Sequence, residues 1–273
     1  MKASPLDGLN IAAIGAGNMA FSLVSGLIRS GIPGERIRAA DVVAAQLNRF
    51  RPLGAQTYEN NAQAVAGADI VLVSVKPQVL QDVLRVLPIN TKQLVISIAA
   101  GIPMRTLLAG TSSAQPIVRC MPNTPALVGA GISGLYANAA VTPALRDQAT
   151  ALLESVGRVI WVKDEAQIDA VTAVSGSGPA YFFLLMEAMI KAGLELGLDR
   201  ETATALTIET AVGSALLARG SDSEPATLRA NVTSPGGTTA RALSIMNDAG
   251  VGDAIVRALH GAAERSAELA RDY

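Results

Sequence analysis

The residues best suited to chemistry lie in three glycine-rich stretches, each followed by an apolar, helix-forming segment. They are residues 15–20 (GAGNMA), residues 174–181 (VSGSGPAY) and residues 231–239 (NVTSPGGTT). Glycine lets the backbone approach another group closely, and the free amides at the start of a helix attract anions. Each stretch therefore predicts a turn that binds a ligand such as phosphate or carboxylate. The alternative at each is a purely structural turn, linker or helix cap.

The first stretch follows a short apolar run, residues 9–14, and precedes a helix expected over residues 19–29. Its G-x-G-x-x-A pattern predicts a dinucleotide-binding turn: Gly15 makes the turn, Gly17 leaves room for the pyrophosphate, and Ala20 lets the helix pack on the strand. The pyrophosphate would lie at the helix N-terminus. The pattern alone is a weak signal, but its place at the start of alternating strands and helices favours a dinucleotide over a structural turn.

The end of the second expected strand, residues 37–40, bears on which dinucleotide is bound. Asp41 follows this strand and can hold the adenosine ribose hydroxyls of NADH. Asp41 can equally cap the next helix. No arginine follows it directly to meet the 2′-phosphate of NADPH, but Arg38 or Arg49 can fold back toward that phosphate. The choice between NADH and NADPH therefore stays open at this point.

Further candidate residues follow strands at the sheet edge where parallel α/β proteins bind ligands. Lys76 follows the strand expected at residues 69–75 and can meet cofactor phosphate, ribose or an anionic substrate; a solvated loop lysine is the alternative. Residues 99–101 (AAG) follow the strand expected at residues 93–98, and their small side chains let a flat ring lie against the edge. The loop at residues 121–125 contains two prolines that fix its shape, which suits either a rigid turn or a substrate contact.

Composition excludes several other classes of function. The net charge is −1 with scattered Lys and Arg, which argues against a nucleic-acid surface and a polybasic membrane patch. A single cysteine, Cys120, excludes an internal disulfide, and with a single histidine, His260, it leaves no basis for a metal site. Residues 11–28 carry no charge, but Gly, Ser and Asn interrupt them as in a strand, turn and helix. We expect a cytoplasmic protein that is not in a membrane, with Cys120 in the core.

The order of these segments predicts an α/β fold: an N-terminal Rossmann-type dinucleotide-binding domain at residues 1–163 and an all-α domain for substrate binding and dimerisation at residues 164–273. Later strands are expected at residues 117–120, 129–136 and 158–162, which gives about eight strands, with a helix at residues 143–155. The C-terminal helices are expected at residues 168–174, 179–196, 199–219, 227–231, 238–249 and 252–271. Apolar residues on more than one face of these helices predict a partner chain.

At these motifs the chain resembles the pyrroline-5-carboxylate reductase family over its whole length. The motifs are residues 15–20, 75–78 (VKPQ), 99–101, 121–125 (MPNTP), 175–181 and 231–239, of which the last two are highly specific. The resemblance implies reduction of 1-pyrroline-5-carboxylate to L-proline with NADPH or NADH. It also implies a dimer swapped through the helical domain, often assembled further into rings such as decamers.

The resemblance implies roles for individual residues as well. The cofactor-binding residues would be Gly15, Ala16, Gly17, Asn18, Met19, Asp41, Asn61, Ser74, Val75, Lys76, Pro77, Ile98, Ala99, Ala100 and Asn231. The substrate-binding residues would be Glu165, Thr172, Ser234, Gly237, Thr238 and Thr239, of which the last four hold the substrate carboxylate. Lys76 and Thr239 are the expected catalytic residues. The segment at residues 41–43 (DVV) departs from NADPH-preferring members, which puts that preference in question but not the reaction.

The expected mechanism is hydride transfer from nicotinamide C4 to the carbon of a protonated imine, assisted by holding the two rings face to face. No histidine is placed to protonate the ring nitrogen, so the Thr239 hydroxyl or a water is the candidate donor. A β-hydroxyacid dehydrogenase is one rival, but it would carry a lysine one turn into the helix at residue 179, where the first lysine is Lys191. A nucleotide-sensing or scaffold protein is the other, and it would need only the first glycine-rich turn.

Overall fold

The computed structural model describes residues 4–273, which form two compact units. The first unit comprises residues 4–177 and 262–273, and the second comprises residues 178–261. The first unit is therefore built from both ends of the described chain. The expected domain boundary at residues 163 and 164 stays a prediction.

A single sheet lies at the centre of the first unit. Its strands are β1 (Ile11–Ile14), β2 (Ile37–Ala40), β3 (Gln56–Tyr58), β4 (Ile70–Val73), β5 (Leu94–Ser97), β6 (Ile117–Met121), β7 (Gly131–Ala137) and β8 (Gly157–Trp161). Their order is β3-β2-β1-β4-β5-β6-β7-β8, and all neighbours are parallel except the antiparallel pair β6 and β7. All residues of β1, β4 and β5 are buried, as expected for strands covered on both faces. The sheet confirms the predicted Rossmann-type fold.

Helices connect these strands and continue to the C-terminus. They are α1 (Asn18–Arg29), α2 (Ala44–Leu47), α3 (Asn61–Val65), α4 (Pro77–Val86), α5 (Met104–Ala109), α6 (Pro143–Glu154), α7 (Gln167–Val171), α8 (Gly178–Glu195), α9 (Arg200–Arg219), α10 (Pro225–Asn231), α11 (Thr238–Asp248) and α12 (Val251–Leu269). Short 3₁₀ turns lie at Gly34–Arg36, Arg51–Leu53 and Thr124–Val128. The expected C-terminal helices are confirmed, with boundaries shifted by a few residues; α4 and α5 were not predicted.

The alternation of strand side chains gives the sheet two buried apolar layers. Ile11 and Leu72 belong to the layer that contains Leu23 of α1, whereas Ile14 belongs to the layer that contains Leu80 of α4. Each fully buried Leu or Ile contributes about 1.5–3 kcal/mol to folding relative to an exposed one. Burial on both faces fixes the strand register, and with it the position of every residue that follows a strand end.

The second glycine-rich stretch does not form the turn that we expected. Thr172–Gly176 forms one turn of π-helix, and α8 follows from Gly178 with Pro179 in its first turn, as predicted. A Cβ on Gly176 would lie 2.4 Å from Cε of Met121, so this glycine serves close packing rather than a turn. The amide of Ser177 donates to the carbonyl oxygen of Thr172 at 2.8 Å. That amide is therefore not free for an anion.

The second unit carries many exposed apolar side chains. Phe182, Leu184 and Leu217 are 64%, 67% and 60% exposed, which agrees with the expectation that these helices need an apolar partner. By length and composition alone, the helical residues Gln167–Glu195 could also cross a membrane, which is a weak signal for a single helix.

Asp199 caps α9 by accepting hydrogen bonds from the amide and the hydroxyl of Thr202, and these bonds hold the pKa of its carboxyl below the ordinary value.

The C-terminal residues 262–273 pack on helices of the first unit, to which they belong. The hydroxyl of Thr106 donates to the carbonyl oxygen of Tyr273 at 2.7 Å, and the guanidinium of Arg105 donates to that of Ala270 at 2.6 Å. The Ser266 hydroxyl donates to the Asp169 carboxylate at 2.7 Å. These bonds fasten the end of the chain to α5 and α7.

Candidate active site

The parallel pairing brings the expected cofactor-binding segments to one edge of the sheet. Ile14 pairs with Ala40 of β2 and with Val73 of β4, and Val73 pairs with Ser97 of β5. The segments that follow these four strand ends therefore start side by side. They lie at the carboxyl edge, where open α/β sheets bind ligands.

Gly15 lies at the centre of this edge, where the turn after β1 passes close to the backbone that follows β4. Its φ is +92°, and a Cβ on it would lie 2.8 Å from the carbonyl carbon of Ser74 and 2.9 Å from the amide nitrogen of Val75. Only glycine fits such a position. The hydroxyl of Ser74 lies 2.9 Å from the carbonyl oxygen of Ile14 and 2.6 Å from that of Gly15. Ser74 therefore holds the turn in place, whatever else it contacts.

The start of α1 fits the pyrophosphate of a dinucleotide. This helix has 12 residues with Gly17 as its N-cap, and within residues 4–273 no side chain caps its first amides. A Cβ on Gly17 would meet no described atom within 4 Å, so the space beside it is open. Uncapped amides at the positive end of a helix form an anion-binding site. Asn18 is exposed at this end, and Met19 is half-buried.

Asp41 is tied to the glycine-rich turn rather than to a helix. Its Oδ2 accepts a hydrogen bond from the amide of Ala16 at 2.7 Å, and its Oδ1 accepts one from the amide of Val43 at 2.8 Å. Ala16 is fully buried, so the carboxylate satisfies an amide that water does not reach. The alternative that Asp41 caps the next helix is wrong, because α2 starts after Val43 without a side-chain cap.

Lys76 lies at the same edge, directly before Pro77, the first residue of α4. Its side chain is exposed and forms no ion pair with the described part of the chain. Its position after β4 therefore leaves a free ammonium group beside the glycine-rich turn. Val75 and Pro77 on either side are half-buried.

The segment after β5 presents a small, apolar surface. Ala99 is buried and Ala100 is exposed, while the amide of Ile98 donates to the carbonyl oxygen of Val73 at 3.0 Å. After β3, Asn60 caps α3 by accepting from the amide of Ala62 at 2.8 Å. Asn61 is the first residue of that helix, and its half-buried side chain is not needed as the cap.

Glu165 has a structural partner that the sequence did not reveal. Its Oε1 lies 2.8 Å from Nη1 of Arg119 on β6 and accepts a hydrogen bond from the amide of Met104 at 2.6 Å. The Arg119 side chain is only 5% exposed, whereas that of Glu165 is 29% exposed. The available signal was Arg119, a charged residue within the apolar strand at residues 117–121, which indicates a buried charge that needs a partner. The spacing of the sequence did not identify Glu165 as that partner.

Thr172 and the 121–125 loop are joined through the π-helical turn. The Thr172 hydroxyl donates to the carbonyl oxygen of Ile168 at 2.8 Å. The Asn123 side chain donates to the carbonyl oxygen of Ser175 at 3.2 Å and accepts from the amide of Ile132 at 3.0 Å. Asn123 is 9% exposed, so it acts as a buried link between β7 and the π-helical turn.

The third glycine-rich stretch lies in the second unit and forms the turn that we expected. Gly236 has a φ of +70°, and the amide of Gly237 donates to the carbonyl oxygen of Ser234 at 3.1 Å. Gly237 is the N-cap of α11, and no described side chain caps the amides of that helix. The hydroxyls of Thr238 and Thr239 have no hydrogen-bond partner among the described residues. This turn therefore offers several free donors to an anion.

Two observations concern the thiol and the groups that could hold a metal ion. Burial raises the pKa of the Cys120 thiol to about 12, against a smaller lowering effect of a hydrogen bond with Ser133, so Cys120 is a neutral core residue and not a nucleophile. Within residues 4–273, no cluster of three His, Cys, Asp or Glu side chains is arranged to hold a metal ion.

Comparison with known proteins identifies the family. A family model described as pyrroline-5-carboxylate reductase dimerisation matches residues 165–269, and one described as NADP oxidoreductase coenzyme F420-dependent matches residues 10–101. A pyrroline-5-carboxylate reductase of Pseudomonas aeruginosa is 54% identical over 95% of this chain and 96% of its own length. One of Vibrio alginolyticus is 43% identical over 95% of this chain and 97% of its own length.

Solved structures agree with this assignment. A pyrroline-5-carboxylate reductase of Coxiella burnetii has a TM-score of 0.90 at 39% identity and covers 96% of this chain and 99% of its own. The Plasmodium falciparum pyrroline carboxylate reductase with NADP bound has a TM-score of 0.87 at 29% identity and covers 97% of this chain and 99% of its own. The chain belongs to the pyrroline-5-carboxylate reductase family.

Proposed function

We propose that this chain reduces 1-pyrroline-5-carboxylate to L-proline with NADPH or NADH, the last step of proline synthesis. The similarity to pyrroline-5-carboxylate reductases along nearly the whole chain carries this proposal, because it spans both the dinucleotide-binding turn and the 231–239 turn. A β-hydroxyacid dehydrogenase is disfavoured because the first lysine of α8 is Lys191. A scaffold would not need a second anion-binding turn.

The cofactor site is proposed at the carboxyl edge of the sheet. Residues 15–19 would hold the pyrophosphate, since the amides at the start of α1 are uncapped and the space beside Gly17 is open. Residues 74–77 and 98–100 would border the ribose and the nicotinamide, with Ala99 and Ala100 leaving room for a flat ring. Asp41, Asn61 and Asn231 complete the proposed set, and Asp41 keeps free lone pairs for a ribose hydroxyl.

The substrate carboxylate is proposed to bind at the start of α11. The amides of Thr238 and Thr239, together with the Ser234 hydroxyl, supply donors at the positive end of this 11-residue helix. A Cβ on Gly237 would lie 2.5 Å from Oγ of Ser234, so a side chain at this position would force the Ser234 hydroxyl to move. Glu165 and Thr172 are proposed as further substrate contacts.

The chain's residues would act mainly by placement. When bound, the reduced nicotinamide supplies the hydride that is added to the imine carbon. The turn at residues 234–239 orients the imine by its carboxylate, and orientation of this kind lowers a barrier by several kcal/mol. The Thr239 hydroxyl is the proposed hydrogen-bond donor to the ring nitrogen. Lys76 supplies a positive charge at the sheet edge, where it would bind a cofactor phosphate or the anionic substrate.

The assembly and location follow from the same proposal. The exposed apolar faces of α8 and α9 would be covered by a second copy of the chain in a helix-swapped dimer, which can assemble further into a decamer. Residues 1–163 would serve cofactor binding, and residues 164–273 substrate binding and dimerisation. We place the protein in the cytoplasm, where NADPH and NADH are available.

Initial rates with 1-pyrroline-5-carboxylate, measured with NADPH and NADH side by side, test the proposal. We expect oxidation of the cofactor with stoichiometric formation of L-proline, and no oxidation with β-hydroxyacids. Conversion of a hydroxyacid without turnover of the imine would overturn the assignment. In the same assay Thr239→Ser should retain most of the activity that Thr239→Ala loses, and equal rates for the two variants would remove the hydroxyl from the mechanism.

A further inference from the structure

Arg49 is held against the dinucleotide-binding turn by two contacts. Its Nη1 donates a hydrogen bond to Oδ1 of Asn18 at 2.8 Å, and its Cζ lies 4.2 Å from the centre of the Phe21 ring. Phe21 is itself braced by Phe50, with the ring centres 5.4 Å apart and the planes at 86°. Arg49 is half-buried, but its hydrogen bond to Asn18 is exposed, so the guanidinium donors that Asn18 does not use are accessible beside the start of α1.

The neighbouring arginines are directed elsewhere. The guanidinium of Arg38 donates to the carbonyl oxygen of Ala66, and that of Arg36 donates to the carbonyl oxygen of Gly8. The side chain of Arg51 is directed to the hydroxyl of Thr57 at 3.4 Å. Arg49 is thus the one of these four that contacts the glycine-rich turn.

Asp41, the residue after β2 that would discriminate between NADH and NADPH, already accepts hydrogen bonds from the backbone. Both carboxylate oxygens of Asp41 accept backbone amides, at 2.7 Å from Ala16 and at 2.8 Å from Val43. NADPH differs from NADH by a phosphate on the adenosine 2′ oxygen, and this ribose lies beside the end of β2 in Rossmann-type sites. A phosphate there needs a cation, and a guanidinium binds phosphate through paired N–H donors.

We propose that Arg49 contacts the 2′-phosphate of NADPH and that Phe21 is the positioning residue that holds Arg49 for this contact. The proposal rests on the dinucleotide site of the proposed function. In this proposal the preference between NADPH and NADH depends on Arg49, whose side chain contacts α1, rather than on Asp41 directly after β2. Asp41 then acts chiefly by stabilising the glycine-rich turn through its hydrogen bond with the amide of Ala16.

Binding of NADP⁺, NAD⁺ and adenosine 2′,5′-bisphosphate, measured by titration calorimetry on the purified protein, tests the proposal without turnover. Arg49→Ala should weaken NADP⁺ and the bisphosphate about tenfold or more, as expected for loss of a charge-assisted contact, and should change NAD⁺ binding less than about threefold. Phe21→Leu keeps an apolar side chain and should produce a smaller loss in the same direction. Arg51→Ala removes the same charge two residues further along the chain and should leave all three affinities unchanged.

Three results would overturn the inference. These are equal losses for NADP⁺ and NAD⁺ in Arg49→Ala, equal effects of Arg49→Ala and Arg51→Ala, and no loss in Arg49→Ala. A normal NADP⁺ affinity in Phe21→Leu would remove Phe21 from its positioning role. Thermal unfolding of each variant separates these outcomes from misfolding. If the parent protein binds neither dinucleotide, the proposed function fails together with this inference, whereas an unchanged Arg49→Ala variant contradicts the inference alone.

Discussion

Replacing Glu165 by alanine would leave a buried guanidinium without its counter-charge. The Arg119 side chain is 5% exposed, and its distance to the Glu165 carboxylate is 2.8 Å. Removal of one partner of a buried ion pair costs about 3–5 kcal/mol, and we take the lower end because the Glu165 side chain is 29% exposed. The amide of Met104 also loses its acceptor, which adds about 1 kcal/mol. We therefore expect a loss of about 4 kcal/mol in the free energy of unfolding.

The measurement is urea-induced unfolding at one fixed protein concentration, since association of subunits adds to apparent stability. Glu165→Gln keeps an acceptor for the Met104 amide and should cost less, about 2 kcal/mol. The matched control is Glu268→Ala, because Glu268 pairs with Arg265 at the same 2.8 Å but both side chains are more than half exposed. That variant should cost less than about 1 kcal/mol.

The double variant Arg119→Met with Glu165→Leu should recover much of the stability, because an apolar pair has no charge to desolvate. A loss below about 1 kcal/mol for Glu165→Ala would refute the reasoning, since it would mean that water already compensates Arg119. The proposed substrate contact of Glu165 makes a separate prediction: the KM for the imine should rise in Glu165→Gln under conditions where the variant is folded.

Three further predictions concern the turn, a helix cap and the core thiol. Gly15→Ala should lose NADP⁺ binding in calorimetry and about 2 kcal/mol of stability, because its Cβ would lie 2.8 Å from the Ser74 carbonyl carbon at a φ of +92°; an affinity within threefold of the parent would contradict this. The lowered pKa of Asp199 means that its contribution to stability is complete above the ordinary Asp pKa and is lost as the pH falls through the lowered folded-state value. Asp199→Ala should therefore flatten the acid limb of the stability curve, and an unchanged acid limb would count against the cap. Because burial raises the pKa of Cys120 from 9.0 to about 12, the contribution of its neutral thiol to stability should be fully present below pH 9.0 and fall above it. Cys120 should also resist alkylation at pH 8 until urea unfolds the protein. Rapid labelling of the folded protein would contradict its burial.

The sequence predicted the sheet well because its strands are short apolar runs with turn residues at their ends. β1 and β4 are buried on both faces, so their short length and flanking turn residues, rather than periodicity, separated them from the helices. The missed helix α4 had a usable signal, since Pro77 is favoured in a first helical turn.

Long-range contacts explain what could not be predicted. Gly176 resembled a turn glycine, but its lack of a side chain makes room for Met121, and this contact exists only once β6 and the π-helical turn have packed. The pairing of Arg119 with Glu165 joins residues 46 positions apart. The Asp41 contact with Ala16 likewise depends on the pairing of β1 with β2. Local spacing carries no information on such partners.

The most direct test of the proposed chemistry compares the KM for the imine with the Kd for NADP⁺ in Gly237→Ala. A Cβ at this position would lie 2.5 Å from Oγ of Ser234 and so displace a proposed carboxylate donor, while the start of α1 is untouched. We expect the KM for 1-pyrroline-5-carboxylate to rise about tenfold or more, while the Kd for NADP⁺ stays within twofold of the parent value. An unchanged KM for the imine in the folded variant would contradict the claim that the turn at residues 234–239 holds the substrate.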